Sequence, residues 1–337
     1  MIESILITGA NGEMGHGLIK KLSKLKNKNI ICLDINDVNN QIKPLVAASI
    51  NGSILDENII SLINDKYKIT QIYHLAALLS SKAEHSPQLA QDVNVNGTLK
   101  LFNLAIDQAK KNNHTVKFFF PSSIAVYGLN GLKNKNLAGK INENQFCLPE
   151  TMYGCNKLYS EHLGRYYSIY YNRLSKNYKP GLIDFRAIRF PGLISADTLP
   201  TGGTTDYAPE MLHAAASNEL YTCFVNENTI LPFMIMDDAI ESIIKLMSTQ
   251  KDKLSKMIYN VGSYSVSALD FKNIIIKYYK NAKIEFSVDL KRQSMVDSWP
   301  EDVNFNAAMS DWKFSPKYNF ENSFKDYLIP KIRSQYE

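Results

Sequence analysis

A strand-like run followed at once by evenly spaced glycines is the feature that most constrains the fold of this chain. Residues Ser4–Thr8 are mainly apolar, and an amphipathic stretch begins near Met14. Between them, Gly9, Gly12 and Gly15 stand three residues apart. Glycine allows a tight turn and lets a helix lie close to the preceding strand. The pattern therefore predicts a strand–turn–helix unit of the type that starts a parallel sheet with crossover helices.

Short β-branched runs and longer amphipathic stretches alternate up to about residue 190. The predicted strands are Ser4–Thr8, Ile30–Asp34, Gln71–Leu75, Val116–Pro121 and Ile183–Phe190. The predicted helices are Met14–Leu25, Asp56–Asp65, Leu89–Lys111 and Tyr153–Asn172, and the predicted loops include Asn36–Asn40 and Gly128–Asn144. We therefore expect an α/β fold with a doubly wound parallel sheet. The later pattern, with Gly/Thr-rich loops and short strands, predicts a smaller C-terminal lobe packed on the first.

Composition excludes several classes of protein. The 337 residues carry 38 Lys+Arg against 33 Asp+Glu without a basic block, so we expect no nucleic-acid partner. The cysteines Cys32, Cys147, Cys155 and Cys223 are too far apart in sequence to indicate a zinc site or a disulfide framework. No apolar run approaches the length of a membrane span, and the first strand begins almost at Met1. We expect a cytoplasmic protein without a metal and without a membrane partner.

The glycine turn has the context of a dinucleotide-binding motif. Gly12 lets backbone approach a pyrophosphate, and the following helix N-terminus offers N–H groups to the anion. Asp34 ends the second predicted strand, where a carboxylate accepts both ribose hydroxyls and repels a 2′-phosphate. The sequence thus favours NAD over NADP. An ordinary turn, or a helix-capping role for Asp34, remains the alternative. Residues 1–190 are expected to form a Rossmann-type NAD-binding domain that receives later segments near 230–262, and residues 191–337 mainly a substrate-binding lobe.

Tyr153 and Lys157 lie four residues apart and share one face of a predicted helix. A phenol with a usual pKa of about 10 needs its anion stabilised to act as a base at neutral pH. The Lys157 cation supplies that stabilisation. The strand ending in Ser122 and Ser123 places a hydroxyl where ligands bind in parallel sheets. A surface Tyr/Lys pair is the alternative interpretation.

In this order, the glycine turn, His74–Ala77, Asn94–Thr98, the Ser-Ser strand end and Tyr-x-x-x-Lys resemble the extended short-chain dehydrogenase/reductase superfamily over the whole chain. The resemblance implies Ser123, Tyr153 and Lys157 as catalytic residues, with Ser122 as the neighbouring candidate serine. It also implies an NAD site lined, besides Tyr153 and Lys157, by Gly9, Asn11, Gly12, Glu13, Met14, Gly15, Asp34, Asp56, His74, Ala76, Ala77, Asn94, Pro191 and Leu193.

Within that superfamily, residues 78–80, 189–195, 202–208, 227–232 and 297–300 are similar to those of the short-chain, metal-independent L-threonine 3-dehydrogenases. The resemblance implies NAD-dependent oxidation of the L-threonine β-hydroxyl to 2-amino-3-oxobutanoate. The expected substrate-binding residues are Ser80, Ser122, Gly203, Thr204, Thr205 and Trp299. Trp299 as a core anchor and 202–205 as a plain surface loop are alternatives. A nucleotide-sugar 4-epimerase or dehydratase, or a non-catalytic NAD sensor, remains open as the function.

Two further expectations concern the surroundings of the site. Residues Leu129–Asn144 make the interval between Ser123 and Tyr153 longer than is usual in the family, with an unknown effect on closure. By resemblance, Leu89–Lys111 and Tyr153–Asn172 pair across a two-fold axis as the four-helix interface of a homodimer.

Overall fold

The computed structural model describes residues 2–25, 29–197, 200 and 202–336. Its strands are β1 Glu3–Thr8, β2 Asn29–Asp34, β3 Ala48–Asn51, β4 Lys68–His74, β5 Val116–Ser123, β6 Lys140–Ile141, β7 Ile183–Phe190, β8 Gly192–Ile194, β9 Leu220–Cys223, β10 Ile230–Ile235, β11 Ile258–Asn260, β12 Tyr264–Ser267, β13 Lys283–Phe286 and β14 Asp302–Val303.

The α-helices are α1 Glu13–Leu22, α2 Glu57–Lys66, α3 Ser80–His85, α4 Pro87–Ala90, α5 Gly97–Asn112, α6 Leu132–Ala138, α7 Met152–Ile169, α8 Tyr207–Ala216, α9 Met236–Ser248, α10 Ala268–Tyr278, α11 Leu290–Asp297, α12 Asn306–Trp312, α13 Phe320–Asn322 and α14 Ile329–Tyr336. Short 3₁₀ turns cover Lys43–Leu45, Ile124–Val126 and Lys251–Lys253. Two π-helical turns cover Gln91–Asn96 and Ser323–Leu328.

The central sheet consists of seven described strands in the order β11-β7-β5-β4-β1-β2-β3, all parallel to their neighbours. The chain starts in the middle with β1, moves outward to β3, then crosses to β4 and continues to the other edge. This reversal brings the carboxyl ends of β1 and β4 together as the place where ligands bind in such sheets. The predicted α/β fold with a Rossmann-type doubly wound sheet is confirmed.

The five predicted strands are present, and β7 has the predicted bounds. Two strands of the sheet, β3 and β11, were not predicted because each is only three or four residues long. The strand β11 extends the sheet from residues 258–260, beside β7. The division of the chain at residue 190 stays a prediction.

Helices cover both faces of the sheet. On one face, α1 and α9 bury Leu18, Ile19 and Ile240 in a common apolar cluster. On the other, α5 buries Leu101 and Phe102 against β4, β5 and β7. A third cluster fills the C-terminal lobe from α8, β10 and α10, and it reaches residues 124–129 after β5. The lobe is therefore packed directly on the end of the strand that carries Ser123.

The prediction of a loop over 128–144 was wrong. The segment contains α6 and β6, and β6 pairs with β14 of the C-terminal lobe. Lys135 on α6 is 1% exposed and donates to the Val296 carbonyl at 2.9 Å. The Asn/Lys-rich composition indicated a loop. However, the buried Lys135 and apolar residues such as Leu129 and Ile141 are enough to pack the segment against the lobe.

Candidate functional site

The glycine turn after β1 has little room for any other residue. At Gly9 the φ angle is +68°, and an added Cβ would lie 2.6 Å from the Ala76 nitrogen. At Gly15 an added Cβ would lie 2.4 Å from the Ala10 carbonyl oxygen. Gly12 is exposed and precedes α1, whose first turn has no capping side chain among the described residues. The N–H groups of this helix end are therefore open to an anion such as a pyrophosphate.

Asp34 lies beside this turn at the end of β2. Its two carboxylate oxygens accept from the Asn11 N–H at 2.9 Å and the Asn36 N–H at 3.0 Å. The Asn11 amide in turn donates to the Asp37 carbonyl at 2.7 Å, and its oxygen accepts from the Asn39 N–H at 2.9 Å. Each carboxylate oxygen keeps a further lone pair, so the position suits the hydroxyls of a nucleoside ribose. The turn and the carboxylate together fit a dinucleotide.

Three other predicted cofactor residues lie in different environments. Glu13 begins α1, and burial, reinforced by Asp206 and Asp197, raises the pKa of its carboxyl to about 7, against a hydrogen bond from Ser195. Met14 is partly buried against the α1–α9 cluster. Asp56 is exposed and caps α2, accepting from the Asn58 N–H at 2.8 Å.

His74, at the end of β4, is a buried bridge between two threonines. Its Nδ1 lies 2.8 Å from the Thr8 hydroxyl and its Nε2 lies 2.9 Å from the Thr98 hydroxyl. Burial lowers the pKa of His74 to about 3, so the ring is neutral. The Ala76 N–H donates to the Thr8 hydroxyl at 3.3 Å. The histidine thus positions the partly buried Ala76–Ala77 segment against the glycine turn.

Asn94 joins the same segment to α7 from a π-helical turn. Its Oδ1 accepts from the Leu78 N–H at 2.7 Å, and its Nδ2 donates to the Leu78 carbonyl at 3.1 Å and to the Asn156 Oδ1 at 3.2 Å. π-helical turns occur frequently at functional sites. Here the turn aims the amide at backbone, which holds the loop after β4 beside the helix of Tyr153.

Tyr153 and Lys157 lie in the first two turns of α7, as their spacing predicted. The Lys157 Nζ lies 5.3 Å from the centre of the Tyr153 ring and 4.6 Å from that of Phe120, and it donates to the Pro121 carbonyl at 2.6 Å. Burial lowers the pKa of Lys157 to about 7, opposed by Glu161, and burial raises the pKa of Tyr153 above its usual value. The cation and the phenol are therefore adjacent at the end of β5.

The helix reaches this position because its first turn is closely packed. Thr151 caps α7 by accepting from the Gly154 N–H at 3.0 Å. A Cβ at Gly154 would lie 2.0 Å from the Ala125 carbonyl oxygen. Only glycine lets α7 approach the 3₁₀ turn that follows β5 so closely.

The two candidate serines have different environments. Ser122 is 3% exposed and donates to the Glu161 carboxylate at 2.5 Å. Ser123 is partly buried, and its oxygen accepts from the Ala125 N–H at 3.1 Å. Successive side chains of a strand point to opposite faces. The Ser122 hydroxyl is therefore committed to the interior, whereas the Ser123 hydroxyl keeps its proton to donate.

The buried ion pair between Glu161 and Arg189 was not identified as functional from the sequence. The Arg189 Nη2 lies 2.6 Å from the Glu161 Oε2, and the two side chains are 4% and 1% exposed. Arg189 also donates to the Tyr127 hydroxyl at 3.0 Å and to the Glu143 carbonyl at 2.7 Å. The available signal was the four-residue spacing from Lys157 to Glu161, which repeats the spacing from Tyr153 to Lys157.

The structure brings together two of the predicted substrate residues. Ser80 and Thr204 are buried, and the Ser80 oxygen accepts from the Thr204 N–H at 3.2 Å and from its hydroxyl at 3.0 Å. Ser80 begins α3, whose Glu84 accepts from the Met152 N–H at 2.5 Å at the start of α7. These contacts connect the Ser80–Thr204 pair to the helix that carries Tyr153.

The other predicted substrate residues are less directly placed. The Gly203 N–H donates to the Asp206 carboxylate at 2.6 Å, so it is not available to a substrate carboxylate in this arrangement. Thr205 is partly buried near Gly192. Trp299 is 3% exposed within the lobe cluster, and its Nε1 is a buried donor without a partner in the described chain.

Leu193 lies in β8, and Pro191 immediately precedes that strand. Strand β8 follows the end of β7 and pairs in parallel with β10. The two residues are therefore at the carboxyl edge of the sheet.

The described residues contain no cluster of His, Cys, Asp or Glu able to hold a metal ion. Their helices include none long and apolar enough to cross a membrane.

Comparisons with known proteins agree on a family. Residues 5–262 match the model of the NAD dependent epimerase/dehydratase family. A curated relative, an uncharacterized epimerase/dehydratase from Staphylococcus haemolyticus, is 34% identical over 326 residues, which cover 94% of this chain and 94% of the relative.

Solved structures of two proteins resemble this one along almost the entire chain. An L-threonine dehydrogenase from Clostridium difficile has a TM-score of 0.84 and 33% identity, covering 99% of this chain and 98% of its own. A monomeric L-threonine 3-dehydrogenase from a metagenome, in its apo form, has a TM-score of 0.84 and 35% identity, covering 99% and 100%.

Proposed function

Because this chain belongs to the NAD-dependent epimerase/dehydratase family, we propose that it is an L-threonine 3-dehydrogenase, which oxidises the β-hydroxyl of L-threonine to 2-amino-3-oxobutanoate. NAD is its cofactor, and it is an oxidoreductase of that family. The observation that carries the proposed substrate is the Ser80–Thr204 pair, a small polar corner beside the start of α7. It is supported by the similarity to two threonine dehydrogenases over 98% or more of each chain.

Tyr153 is the proposed general base. Burial raises the pKa of its phenol, so the phenolate needs a neighbouring positive charge. Lys157 supplies this charge from above the Tyr153 ring, and it is held by the Pro121 carbonyl. When bound, NAD supplies the hydride acceptor and a further positive charge on its oxidised ring. Tyr153 removes the hydroxyl proton as the carbon is oxidised.

Ser123 is the proposed hydroxyl donor to the substrate oxygen. Its oxygen is held by the Ala125 N–H, which leaves the O–H free to point into the site. Ser122 is less suitable because its hydroxyl donates to Glu161. We therefore assign the catalytic serine to position 123 and a supporting role to position 122.

The amino-acid part of the substrate needs partners for a carboxylate and an ammonium group. Because the Thr204 N–H and hydroxyl both donate to the Ser80 oxygen, the Ser80 O–H is the donor that this buried pair offers to a carboxylate. Thr205 and the Trp299 Nε1, which has no hydrogen-bond partner among the described residues, are further proposed contacts. The Gly203 N–H is another, once it no longer donates to the Asp206 carboxylate. A site of this kind suits a small zwitterion.

A nucleotide-sugar epimerase or dehydratase is the second candidate. The name of the matching family and of the curated relative supports it. Such a substrate carries a second pyrophosphate, which requires arginine or lysine groups in the lobe. Arg292 stands over the Phe224 ring at 3.1 Å, so its guanidinium is already stacked.

The deciding experiment follows NADH fluorescence when purified protein and NAD receive L-threonine, D-threonine or UDP-sugars. We expect NADH to form with L-threonine only, faster toward alkaline pH because Tyr153 must ionise. Tyr153→Phe should lower kcat by about 10²- to 10⁴-fold, whereas the Kd for NAD, measured by calorimetry, should stay nearly unchanged. If L-threonine gives no NADH between pH 7 and 10, the proposed function is wrong, and conversion of a UDP-sugar would establish the second candidate.

We also propose a homodimer formed by α5 and α7. Tyr159 and Tyr166 on α7 are 52% and 45% exposed, and aromatic side chains are enriched at interfaces. Light scattering of the eluting protein should give twice the chain mass of 38.2 kDa. A mass of one chain would contradict the dimer.

A further inference from the structure

Glu161 stands one helical turn beyond Lys157 on α7 and is 1% exposed. Its Oε1 accepts from the Ser122 hydroxyl at 2.5 Å and from the Arg189 Nε at 2.8 Å, and its Oε2 accepts from the Arg189 Nη2 at 2.6 Å. One carboxylate thus joins the strand of the catalytic serine, the helix of Tyr153 and Lys157, and the strand that leads to Pro191.

The charges along this line alternate in sign. Lys157 and Glu161 are neighbours at the i, i+4 spacing of a helix, and Arg189 lies beyond Glu161. Arg189 also donates to the Tyr127 hydroxyl and to the Glu143 carbonyl, neither of which belongs to α7.

The other groups that face Lys157 carry no negative charge. They are the Pro121 carbonyl and the Phe120 ring from β5, the Tyr153 phenol from α7, and the neutral His74 from β4. Among the described residues, Glu161 is the carboxylate one helical turn from Lys157, and the two side chains bond to the adjacent β5 residues Ser122 and Pro121. Its attraction opposes the burial that lowers the pKa of Lys157. Without it, a buried ammonium group next to an oxidised cofactor would lose its proton readily.

We propose that Glu161 is a positioning residue whose carboxylate keeps Lys157 in its cationic form and fixes it relative to Ser123 through Ser122. This rests on the proposed function only in naming the reaction that Lys157 assists. The inference about the charge of Lys157 concerns the protein itself and is measurable without a substrate.

The sign of the effect separates this role from simple structural support. Replacing Glu161 by glutamine removes the anion and leaves the Arg189 cation unbalanced, so Lys157 should lose its proton at lower pH. Loosened packing would instead admit water to Lys157 and move its titration upward, toward that of an ordinary lysine.

The experiment is a ¹³C NMR titration of protein labelled at lysine Cε, with the Lys157 signal assigned by its loss in Lys157→Arg. In Glu161→Gln the midpoint of the Lys157 titration should fall by about one pH unit or more. Tyr127→Phe is the matched control, since it removes a hydrogen bond to Arg189 from the same network and keeps the carboxylate. Its Lys157 midpoint should stay where it is.

Enzyme kinetics supply the second readout. The pH at which kcat/KM declines on the alkaline side should fall in Glu161→Gln and return in Glu161→Asp. An unchanged or higher Lys157 midpoint in Glu161→Gln would overturn the inference. A lowered midpoint in a protein that does not oxidise L-threonine would overturn the proposed function and leave the inference standing.

A buried arginine without its partner can prevent folding. If Glu161→Gln does not fold, the double variant Glu161→Gln, Arg189→Met removes both charges together. The midpoint should still fall in this variant, because Glu161 lies one helical turn from Lys157 and its attraction raises the pKa of that lysine. A rise in the double variant would equally overturn the inference.

Discussion

At the scale of single residues, Glu13 has an unusually high pKa for a carboxyl group at the helix end that follows the glycine turn. A carboxylate at the first position of a helix is normally stabilised by the helix dipole. Here burial and the nearby Asp206 and Asp197 outweigh that effect and raise the pKa of Glu13 to about 7 from 4.5. The folded protein consequently binds a proton at Glu13 more tightly than the unfolded chain does.

Linkage gives the sign of the resulting pH dependence. The contribution of Glu13 to stability is fully present below about pH 4.5 and is lost as the pH rises through about 7. Glu13→Gln cannot ionise, so its Tm should equal that of the parent near pH 5 and exceed it by about 3 °C at pH 8. Thermal melts at both pH values test this, with the exposed Glu219→Gln as control. A Glu13→Gln protein that melts lower than the parent at pH 8 would contradict the assigned environment.

Local spacing explains which site residues were predictable. The helical period alone brings Tyr153 and Lys157 to one face, so their pairing was predicted correctly. The partnership of Glu161 with Arg189 depends on β7 lying beside β5 with α7 above both, and no local pattern encodes that arrangement. Likewise, the proposed preference for Ser123 over Ser122 rests on the position of Glu161.

At the scale of elements, the site depends on how closely α7 approaches the end of β5. The contact is made at Gly154, where an added Cβ would lie 2.0 Å from a backbone oxygen that cannot rotate away. The sequence indicated the helix but not this contact, because a glycine inside a helix ordinarily signals only lower helix propensity. The strands β3 and β11 were not predicted because they are too short to show a pattern of their own, and they are recognised only by their pairing with β2 and β7.

Gly154→Ala should therefore push the start of α7 away from residue 125. We expect a loss of about 1–3 kcal/mol in the free energy of unfolding, from overpacking, and a fall of kcat by about tenfold or more, because Tyr153 and Lys157 move with the helix. Urea unfolding and steady-state kinetics measure the two effects. Gly262→Ala is the control, since an added Cβ there meets its nearest atom at 3.6 Å. Equal activity of the two variants would show that the contact does not position Tyr153.

At the scale of the whole molecule, the segment with α6 and β6 ties the C-terminal lobe to the sheet. The Lys140–Asp302 ion pair at 3.0 Å and the hydrogen bond from the Leu129 N–H to the Ser298 carbonyl at 2.8 Å both join this segment to the C-terminal lobe. Glu143 accepts from Lys256 at 2.5 Å and from the Asn260 N–H at 3.2 Å. The extra length that was predicted as a loop therefore packs against the segment that carries Trp299.

Lys135→Met tests this arrangement. The buried Lys135 ammonium donates to the Val296 carbonyl, three residues before Trp299, and burial lowers the pKa of Lys135 to about 8 against the attraction of Asp297 and Glu301. Methionine keeps the volume and removes the donor, so the segment that carries Trp299 loses an anchor of about 1.5–3 kcal/mol. Because Trp299 is a proposed substrate contact and the glycine turn lies on the other lobe, KM for L-threonine should rise several-fold while the Kd for NAD stays constant.

The exposed Lys133→Met, on the same helix, is the matched control and should change neither constant. Steady-state kinetics give KM, and calorimetry without substrate gives the Kd for NAD. A parallel loss of NAD affinity in Lys135→Met would mean that the segment stabilises the molecule as a whole rather than the substrate lobe. A selective rise in KM would show that an insertion remote from the reacting atoms sets how firmly the lobe holds its side of the site.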